Sequence, residues 1–499
     1  MLDVHLHNAN VLTMDPDRPL ARELGIWHGR IVGVDEQVAR LPARRSVDLD
    51  GATVLPGFID AHVHLAWAGV RAGAANVAPC RRVEDVLTVI GRAAGQRPAG
   101  EWVDVVGYDQ RPLGRHLTAA ELDTVAAGRK LFVMHDSGHA CVVNGAVLAL
   151  LPPGVEHTGG VLTEQGMAVA RRLRQPYPLT ELAAGIERAA RTCLAEGVTA
   201  CAEAGIGGGL VSHSPVEVAA YQAAHEQGRL PIRVRLMVAG DALRDVGAHP
   251  ADGIPRAIDL GMRTGFGGER LSIGALKVFT DGGMMTRTAA LSAPYAGSTS
   301  TGQLYADPTQ LTELIVDGHR AGWQLAVHAI GDRAIDLTLD ALARAQLRYP
   351  RPGARHRIEH SGLVRPDQLA RFAEVGAIAV VQPNFLWYLG DDYAEIMGPE
   401  REAWLYRGRA FLDHGVRLAG SSDRPVTAGA PLRSIQFMVR RRTSSGRPVG
   451  PGEAVTVEQA LHAFTAGAAH ACGWDDAGSI TAGKVADLVV LADDPTRIE

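Results

Sequence analysis

A chain of 499 residues with 46% hydrophobic and 21% charged residues has the composition of a globular protein, which disfavours intrinsic disorder. Its formal net charge is −5, so a large basic surface of the kind that binds nucleic acid is not expected. The length suggests either one large barrel with an attached domain or two to three separate domains.

The five cysteines are scattered and odd in number, and none belongs to a Cys-x-x-Cys pair. This pattern indicates buried thiols of a reducing compartment rather than a disulfide framework or a zinc–thiolate site. The first residues lack the basic and apolar regions of a signal peptide, and no stretch is apolar for long enough to span a bilayer. We therefore expect a cytoplasmic protein without a membrane partner.

Both ends of the chain have the pattern of short strands. Residues 4–11, 24–34 and 46–54 read as strands with no helix-length amphipathic segment between them, and residues 486–492 form a compact apolar run. We predict that the two ends together build one small β-sandwich domain, with residues 1–56 as its N-terminal part.

Between the two ends, apolar runs of strand length alternate with Ala-rich segments of helix length, which is typical of repeated βα units and a parallel sheet. We predict an α/β fold with a (β/α)₈ TIM barrel over residues 57–425 and an insertion around residues 70–190. Residues 426–499 would supply the last barrel helices and the C-terminal part of the β-sandwich domain. The predicted strands include residues 54–59, 197–201, 232–238, 272–279, 324–328, 377–382 and 416–420, and the predicted helices include residues 181–196, 308–322 and 332–348.

The predicted first barrel strand ends in a His-x-His motif. His62 and His64 follow an apolar run that passes through Pro56-Gly57. Side chains two residues apart in an extended segment point to the same side, so both imidazoles can reach one ion. Such a motif also occurs by chance, but catalytic groups of these barrels lie at the carboxyl ends of the strands, where this motif is placed.

Three further polar residues, His328, His360 and Asp423, stand at or just after the ends of apolar runs. Each has a structural alternative, because a lone histidine is more often a core or surface residue and an Asp near Pro425 suits a turn. Two histidines in register at the ends of consecutive βα units, downstream of the His-x-His motif, favour a shared metal site. A carboxylate beside a divalent cation can bind the ion and take a proton from its water.

Lys277 lies within an apolar strand-like segment, residues 271–279. Burying an unpaired ammonium is costly, so the structural alternative is that the side chain reaches solvent or pairs with Asp281. Burial also lowers the pKa of a lysine. The neutral amine can then take up carbon dioxide as a carbamate, which is an oxygen ligand able to bridge two metal ions.

With these residues in place, the chain resembles the amidohydrolase superfamily and, within it, the YtcJ-like branch, amidohydrolase family 3, whose members include N-substituted formamide deformylase. The similarity covers nearly the whole chain and is highly specific for the superfamily. The segments that carry it are residues 55–64, Gly138-His139 with Asn144, and residues 277–283, 287–289, 327–334, 357–360, 382–384, 420–423 and 483–488.

The resemblance implies a role for each candidate metal ligand. His62 and His64 would bind the more buried metal ion, and His328 and His360 would bind the second. Lys277 would bridge the two ions as a carbamate. The implied cofactor is a divalent metal, zinc, present as one or two ions.

For function, we expect a metal-dependent hydrolase that cleaves a C–N bond of an amide, a formamide or a cyclic amide by attack of metal-bound hydroxide, with Asp423 as the general acid and base. Three alternatives stay open: an esterase or lactonase on the same metal site, a deaminase of the same barrel class, and a catalytically dead scaffold. Related deaminases carry a Glu three residues after the fifth-strand histidine, where this chain has Gly331. The presence of every expected ligand disfavours the scaffold.

The expected partner is a small amide-like substrate rather than nucleic acid. A homodimer is the candidate oligomeric state, because homo-oligomers are common among such barrels. Aromatic and polar side chains near the strand ends suit an amide with an apolar or ring-bearing group. The candidate substrate-binding residues are His139, Arg287, Tyr305, Asn384 and Trp387.

Overall fold

The computed structural model describes residues 1–136, 140–209 and 211–497. Its centre is an eight-stranded sheet in which each strand pairs in parallel with the next along the chain. The first to eighth barrel strands are Phe58–Val63, Val198–Ile206, Arg233–Ala239, Leu271–Phe279, Leu325–Ala329, Arg357–His360, Ile378–Val381 and Leu418–Gly420. Several of these strands are buried along their whole length, as expected for a parallel sheet that is covered on both faces.

The end of the first strand meets the segment that follows the eighth strand. The backbone N–H of Asp423 donates to the carbonyl of His62 at 2.8 Å, and the N–H of His64 donates to the carbonyl of Arg424 at 2.8 Å. These bonds bring the two edges of the sheet together at the carboxyl ends of the strands. The sheet is thus a nearly closed barrel, and the predicted (β/α)₈ fold is confirmed.

The helices begin and end where local sequence chemistry favours it. The helix Pro308–Arg320 starts with proline, and the side chain of Asp307 accepts hydrogen bonds from the first turn. The helix Pro366–Val375 ends at Gly376, which adopts the left-handed conformation that glycine tolerates. The other helices outside the insertion are Val218–Glu226, Asp332–Arg348, Asn384–Met397, Pro399–Glu402, Arg409–Asp413, Pro431–Arg440, Val457–Ala463 and Ala466–Cys472.

The chain ends form two four-stranded sheets. One has the order Arg30–Val34, Leu24–Trp27, Leu2–His7 and Ala43–Asp48, and the other has the order Leu488–Leu491, Thr53–Pro56, Asn10–Leu12 and Leu20–Ala21. Residues of both sheets share one buried apolar cluster, which includes Val11, Leu24, Ile31 and Val54. The predicted β-sandwich built from both ends is therefore present.

The predicted single strand at residues 54–59 is wrong. The structure divides this run at Gly57 into Thr53–Pro56, which belongs to an end sheet, and Phe58–Val63, which belongs to the barrel. A Cβ at Gly57 would lie 2.1 Å from the hydroxyl of Thr199, so the chain needs glycine where it passes from one sheet to the other. Hydrophobicity alone does not show this change of sheet, because both halves are buried.

A second compact unit comprises residues 66–189 and 213–220. Its five-stranded sheet has the order Val161–Thr163, Ala140–Val143, Lys130–His135, Trp102–Tyr108 and Ala75–Asn76. The helices that begin or lie in this part of the chain are Leu65–Ala72, Val83–Gly95, Ala119–Ala126, Gly145–Leu148, Glu164–Arg174 and Leu179–Ala195. Within the described ranges of the chain, no helix is both long enough and apolar enough to cross a membrane.

Candidate metal centre

The structure brings the His-x-His motif and Asp423 to one place. The Nε2 atom of His64 lies 3.1 Å from Oδ1 of Asp423, and the Nε2 atom of His62 lies 3.5 Å from the same oxygen. One ligand atom from each of the three residues lies within 4.8 Å of the others, and all three residues are buried. The end of the first strand and the segment after the eighth therefore present two imidazoles and a carboxylate to a common point.

The other three candidate ligands join this cluster. The ring of His360 lies 4.9 Å from that of His62 and 4.4 Å from that of His328, measured between centroids. The Nζ atom of Lys277 lies 3.5 Å from Nε2 of His62. All six residues that the sequence singles out as metal ligands or acid–base are thus neighbours at the carboxyl ends of the first, fourth, fifth, sixth and eighth strands.

The backbone is constrained at two of these residues. His360 has a φ of 70° and Asp423 has a φ of 53°, both in the left-handed region that few non-glycine residues adopt. Such conformations persist when surrounding contacts impose them. Beside Asp423, the carboxylate of Asp60 accepts hydrogen bonds from the backbone N–H of Ser422 at 3.0 Å and from its hydroxyl, and so ties the eighth-strand segment to the first strand.

A buried carboxylate that sequence reasoning missed orients His62. The Nδ1 atom of His62 is hydrogen-bonded to Glu359, and both side chains are fully buried. Arg357 donates two hydrogen bonds to the Glu359 carboxylate, at 2.6 Å and 2.9 Å, and a third to the carbonyl of Ala61. With Nδ1–H donated to Glu359, the lone pair of His62 is on Nε2, which is the atom that faces Asp423.

The imidazole of His360 has a comparable support. Its Nδ1 atom lies 2.8 Å from Oε1 of Gln382, whose amide nitrogen donates to the hydroxyl of Ser421 at 2.9 Å. Gln382 and Ser421 follow the seventh and eighth strands directly. The hydrogen bond fixes the ring so that its Nε2 atom is left for a ligand.

Asp281 is not the ion-pair partner of Lys277 that the sequence offered as an alternative. Instead of pairing with Lys277, its carboxylate accepts three backbone N–H groups, from Ala290, Ile330 and Gly331, at 2.8 to 3.0 Å. Oδ1 of Asp281 also lies 3.4 Å from Nε2 of His328. Asp281 therefore holds the loop after the fifth strand against the fourth, and it positions the His328 ring.

Electrostatics in the cluster favour neutral imidazoles. Burial lowers the pKa of His328 to about 3, and the charge of Lys277 adds to the effect. Burial also lowers the pKa of His62 and of His360 well below the ordinary value. Burial lowers the pKa of Lys277 to about 8, although Glu359 and Asp423 oppose this shift. Neutral imidazole is the form of histidine that binds metal ions.

The residues present fit a divalent cation. Oδ1 of Asp423 is buried and accepts no hydrogen bond from any residue that the structure describes, although it faces the Nε2 atoms of His62 and His64. A buried carboxylate oxygen without a donor is costly unless something else neutralises it. Imidazole nitrogens combined with a carboxylate oxygen are a donor set that zinc and similar ions accept.

The expected substrate-binding residues differ in exposure and in the contacts that they form. Arg287 and Tyr305 are exposed, and Tyr305 packs beside Phe279 with ring centroids 6.2 Å apart. The amide of Asn384 donates to the carbonyl of Ser422 at 2.7 Å and so braces the segment of Asp423. Trp387 stacks on Phe437 at 5.0 Å. His139 lies outside the described residues.

A (β/α)₈ barrel with buried histidines and a carboxylate at the carboxyl ends of its strands is an arrangement that metal-dependent hydrolases use. Residues 45–499 match the amidohydrolase family, and the chain belongs to that family. This confirms the predicted enzyme class, hydrolases that act on C–N bonds other than peptide bonds.

Similar proteins extend over almost the full chain. N-substituted formamide deformylase of Arthrobacter pascens is 30% identical, with 99% of this chain and 94% of that protein covered. The putative amidohydrolase YtcJ of Bacillus subtilis is 27% identical, with 92% of this chain and 87% of that protein covered. An uncharacterized metal-dependent hydrolase from Pyrococcus horikoshii, known from a crystal structure, is 26% identical in sequence. The two structures have a TM-score of 0.84, and the match covers 99% of this chain and 98% of that chain.

Proposed function

We propose that this enzyme hydrolyses the C–N bond of an amide, a formamide or a cyclic amide, with Asp423 as its general acid and base. The observation that carries the proposal is the convergence of a buried Asp423 oxygen on the Nε2 atoms of His62 and His64. In this proposal one or two zinc ions are held by His62, His64, His328, His360 and a modified Lys277. Zinc bound there would lower the pKa of a water toward about 7 and so supply the nucleophile at neutral pH.

The remaining chemistry belongs to residues of the chain. Asp423 accepts a proton from the attacking water at Oδ1, which accepts no hydrogen bond from the residues that the structure describes. The same carboxyl then donates the proton to the departing nitrogen, because an amine leaves poorly unless it is protonated. Glu359 and Gln382 keep the rings of His62 and His360 in fixed orientations through the reaction.

The chain is 30% identical to N-substituted formamide deformylase, so N-substituted formamides are the first substrates to test. Arg287, Tyr305, Asn384, Trp387 and His139 remain the proposed substrate-binding residues. The five cysteines are free thiols, which supports the cytoplasm as the working compartment.

The test is a substrate screen on enzyme of known metal content. The protein is treated with a chelator, reconstituted with Zn²⁺, and assayed against N-substituted formamides, N-acyl amino acids, cyclic imides and simple esters. We expect the chelated protein to be inactive and the zinc form to release amine from at least one C–N substrate. A zinc form that cleaves esters alone would contradict the proposal, and equal activity of the chelated protein would exclude the metal.

We further propose that Lys277 carries a carbamate, formed when its neutral amine adds to carbon dioxide and releases a proton. Lys277 is 1% exposed, and its Nζ lies 3.5 Å from Nε2 of His62, so a carboxylate built on this atom would lie among the imidazoles. We expect Lys277→Ala to bind less metal per chain, because the oxygen ligands that a carbamate would supply are lost. Small carboxylic acids such as acetate should partly restore the metal content.

Metal per chain is measured by elemental analysis of the purified variant, with and without added acetate. Lys484→Ala, which removes a lysine that hydrogen-bonds to the carbonyl of Ala477 away from the cluster, is the matched control and should bind metal as the wild type does. Unchanged metal content in Lys277→Ala would contradict the carbamate.

A further inference from the structure

A cavity of about 400 Å³ lies beside the carboxyl end of the fourth barrel strand. Its lining includes Phe279 at the end of that strand and Tyr305. The ring of Phe279 lies 5.1 Å from the ring of His328, and its centroid lies 4.9 Å from Nζ of Lys277. Phe279 therefore lines this cavity and also lies beside two residues of the candidate metal centre.

The walls of the cavity suit a flat apolar group. Phe279 and Tyr305 face each other at a tilt of 42°, and Val278, Leu311 and Leu314 supply apolar surface. Tyr305 is 50% exposed, so its ring is accessible to a ligand. Aromatic rings pack well against such surfaces, and the volume is enough for one ring with a small substituent.

The charges around the cavity are unequal. Asp241 and Glu313 line it, and neither forms an ion pair within the described part of the chain. Arg256 also lines it, but its guanidinium is 3.8 Å from Asp317 and 3.8 Å from Asp245 and is therefore already balanced. The cavity thus offers two uncompensated carboxylates to a bound group, which favours a cation and opposes an anion.

We propose that this cavity holds the part of the substrate remote from the scissile bond, and that it selects an aromatic ring that bears a cationic group over one that bears an anionic group. The inference rests on the proposed C–N hydrolysis, which places the scissile bond at the metal centre. The carboxylates of Asp241 and Glu313 would attract the cation, while Phe279 and Tyr305 would contact the ring. A substrate of this class is an N-substituted amide with a ring-borne ammonium group.

The test uses three substrates that differ in one substituent: N-benzylformamide, its para-aminomethyl derivative and its para-carboxylate derivative. We expect kcat/KM to fall in the order ammonium, neutral, carboxylate, with about three- to tenfold between the two ends because both carboxylates are solvent-exposed. Raising the ionic strength toward 1 M should compress the order. Asp241→Asn combined with Glu313→Gln should bring the three values together, whereas Glu374→Gln, an exposed carboxylate that does not line the cavity, should leave the order unchanged.

Binding of the same three compounds to the Asp423→Asn variant, measured by calorimetry, tests the cavity assignment separately from hydrolysis. If no compound is hydrolysed by the wild type but the affinities follow the same charge order, the formamide activity is refuted and the cavity assignment stands. If hydrolysis occurs at equal rates for the three compounds, or the double variant keeps the wild-type order, the cavity assignment is overturned. Equal affinities for all three compounds would overturn it as well.

Discussion

Asp423→Asn is expected to lower kcat by about 10³-fold or more while the fold and most of the bound metal are retained. Positioned acid–base groups contribute about 10² to 10⁴ in rate, and Asp423 is proposed to serve both as base toward water and as acid toward nitrogen. Asparagine keeps the shape of the side chain but cannot take up the proton. It is also among the residues that tolerate the left-handed φ of 53° at this position, so the backbone is not strained further.

The measurement is kcat on the best C–N substrate, together with circular dichroism and metal content of the same preparation. Asp413→Asn is the matched control, because this exposed aspartate pairs with Arg409 on the surface, away from the cluster. We expect the control to have wild-type activity. An Asp423→Asn enzyme within tenfold of the wild type would remove Asp423 from the proposed chemistry.

The position of the candidate ligands could be predicted because two regularities coincide. Strands of a parallel barrel are continuous apolar runs, and their carboxyl ends share one rim. A polar residue that ends such an apolar run is therefore expected at that rim from the hydrophobic pattern alone. His328 and His360 are two such residues. Lys277 lies two residues before Phe279, the last residue of its strand, and its side chain also reaches the cluster.

Glu359 was missed although its signal is in the sequence. Arg357 and Glu359 are two residues apart in a strand, so both side chains point to the same face, and opposite charges on one face of an apolar strand indicate a buried pair. What the sequence does not show is that this face meets His62 of the first strand, which is not a neighbour of the sixth strand in the sheet.

The loops are the least predictable part of the site. The sequence predicts that Asn384 binds substrate, but it does not predict that the amide nitrogen of Asn384 donates to the segment that carries Asp423. It also predicts that Trp387 binds substrate, but it does not predict that this ring stacks on Phe437. These contacts join parts of the chain that are about 40 to 50 residues apart, and neither periodicity nor residue type specifies which loops will meet.

Glu359→Gln is expected to destabilise the fold by about 3 to 5 kcal/mol, the cost of leaving a buried charge without its partner. Arg357 is 1% exposed, and Glu359 is its carboxylate partner at 2.6 Å. The variant also loses the carboxylate that orients His62, so metal affinity should fall by about 10- to 100-fold. Asp340→Asn, at the largely exposed end of the ion pair with Arg371, should change stability by less than about 1 kcal/mol.

A double-mutant cycle distinguishes an unpaired charge from general disruption. Glu359→Gln leaves the buried Arg357 without its carboxylate, and Arg357→Met leaves the Glu359 charge with only the hydrogen bond to His62 among the side-chain contacts described above. The combined variant removes both charges and should regain part of the stability that each single change loses. Urea unfolding of the wild type, the two single variants and the combined variant gives the coupling free energy between Arg357 and Glu359. Metal titration of the same proteins shows whether His62 has lost its orientation. The combined variant should regain stability without regaining full metal affinity, because the neutral amide oxygen that Glu359→Gln introduces accepts Nδ1–H of His62 more weakly than a carboxylate does. Simple additivity of the two stability losses, or wild-type metal affinity in the combined variant, would contradict the role of Glu359 as the partner of both groups.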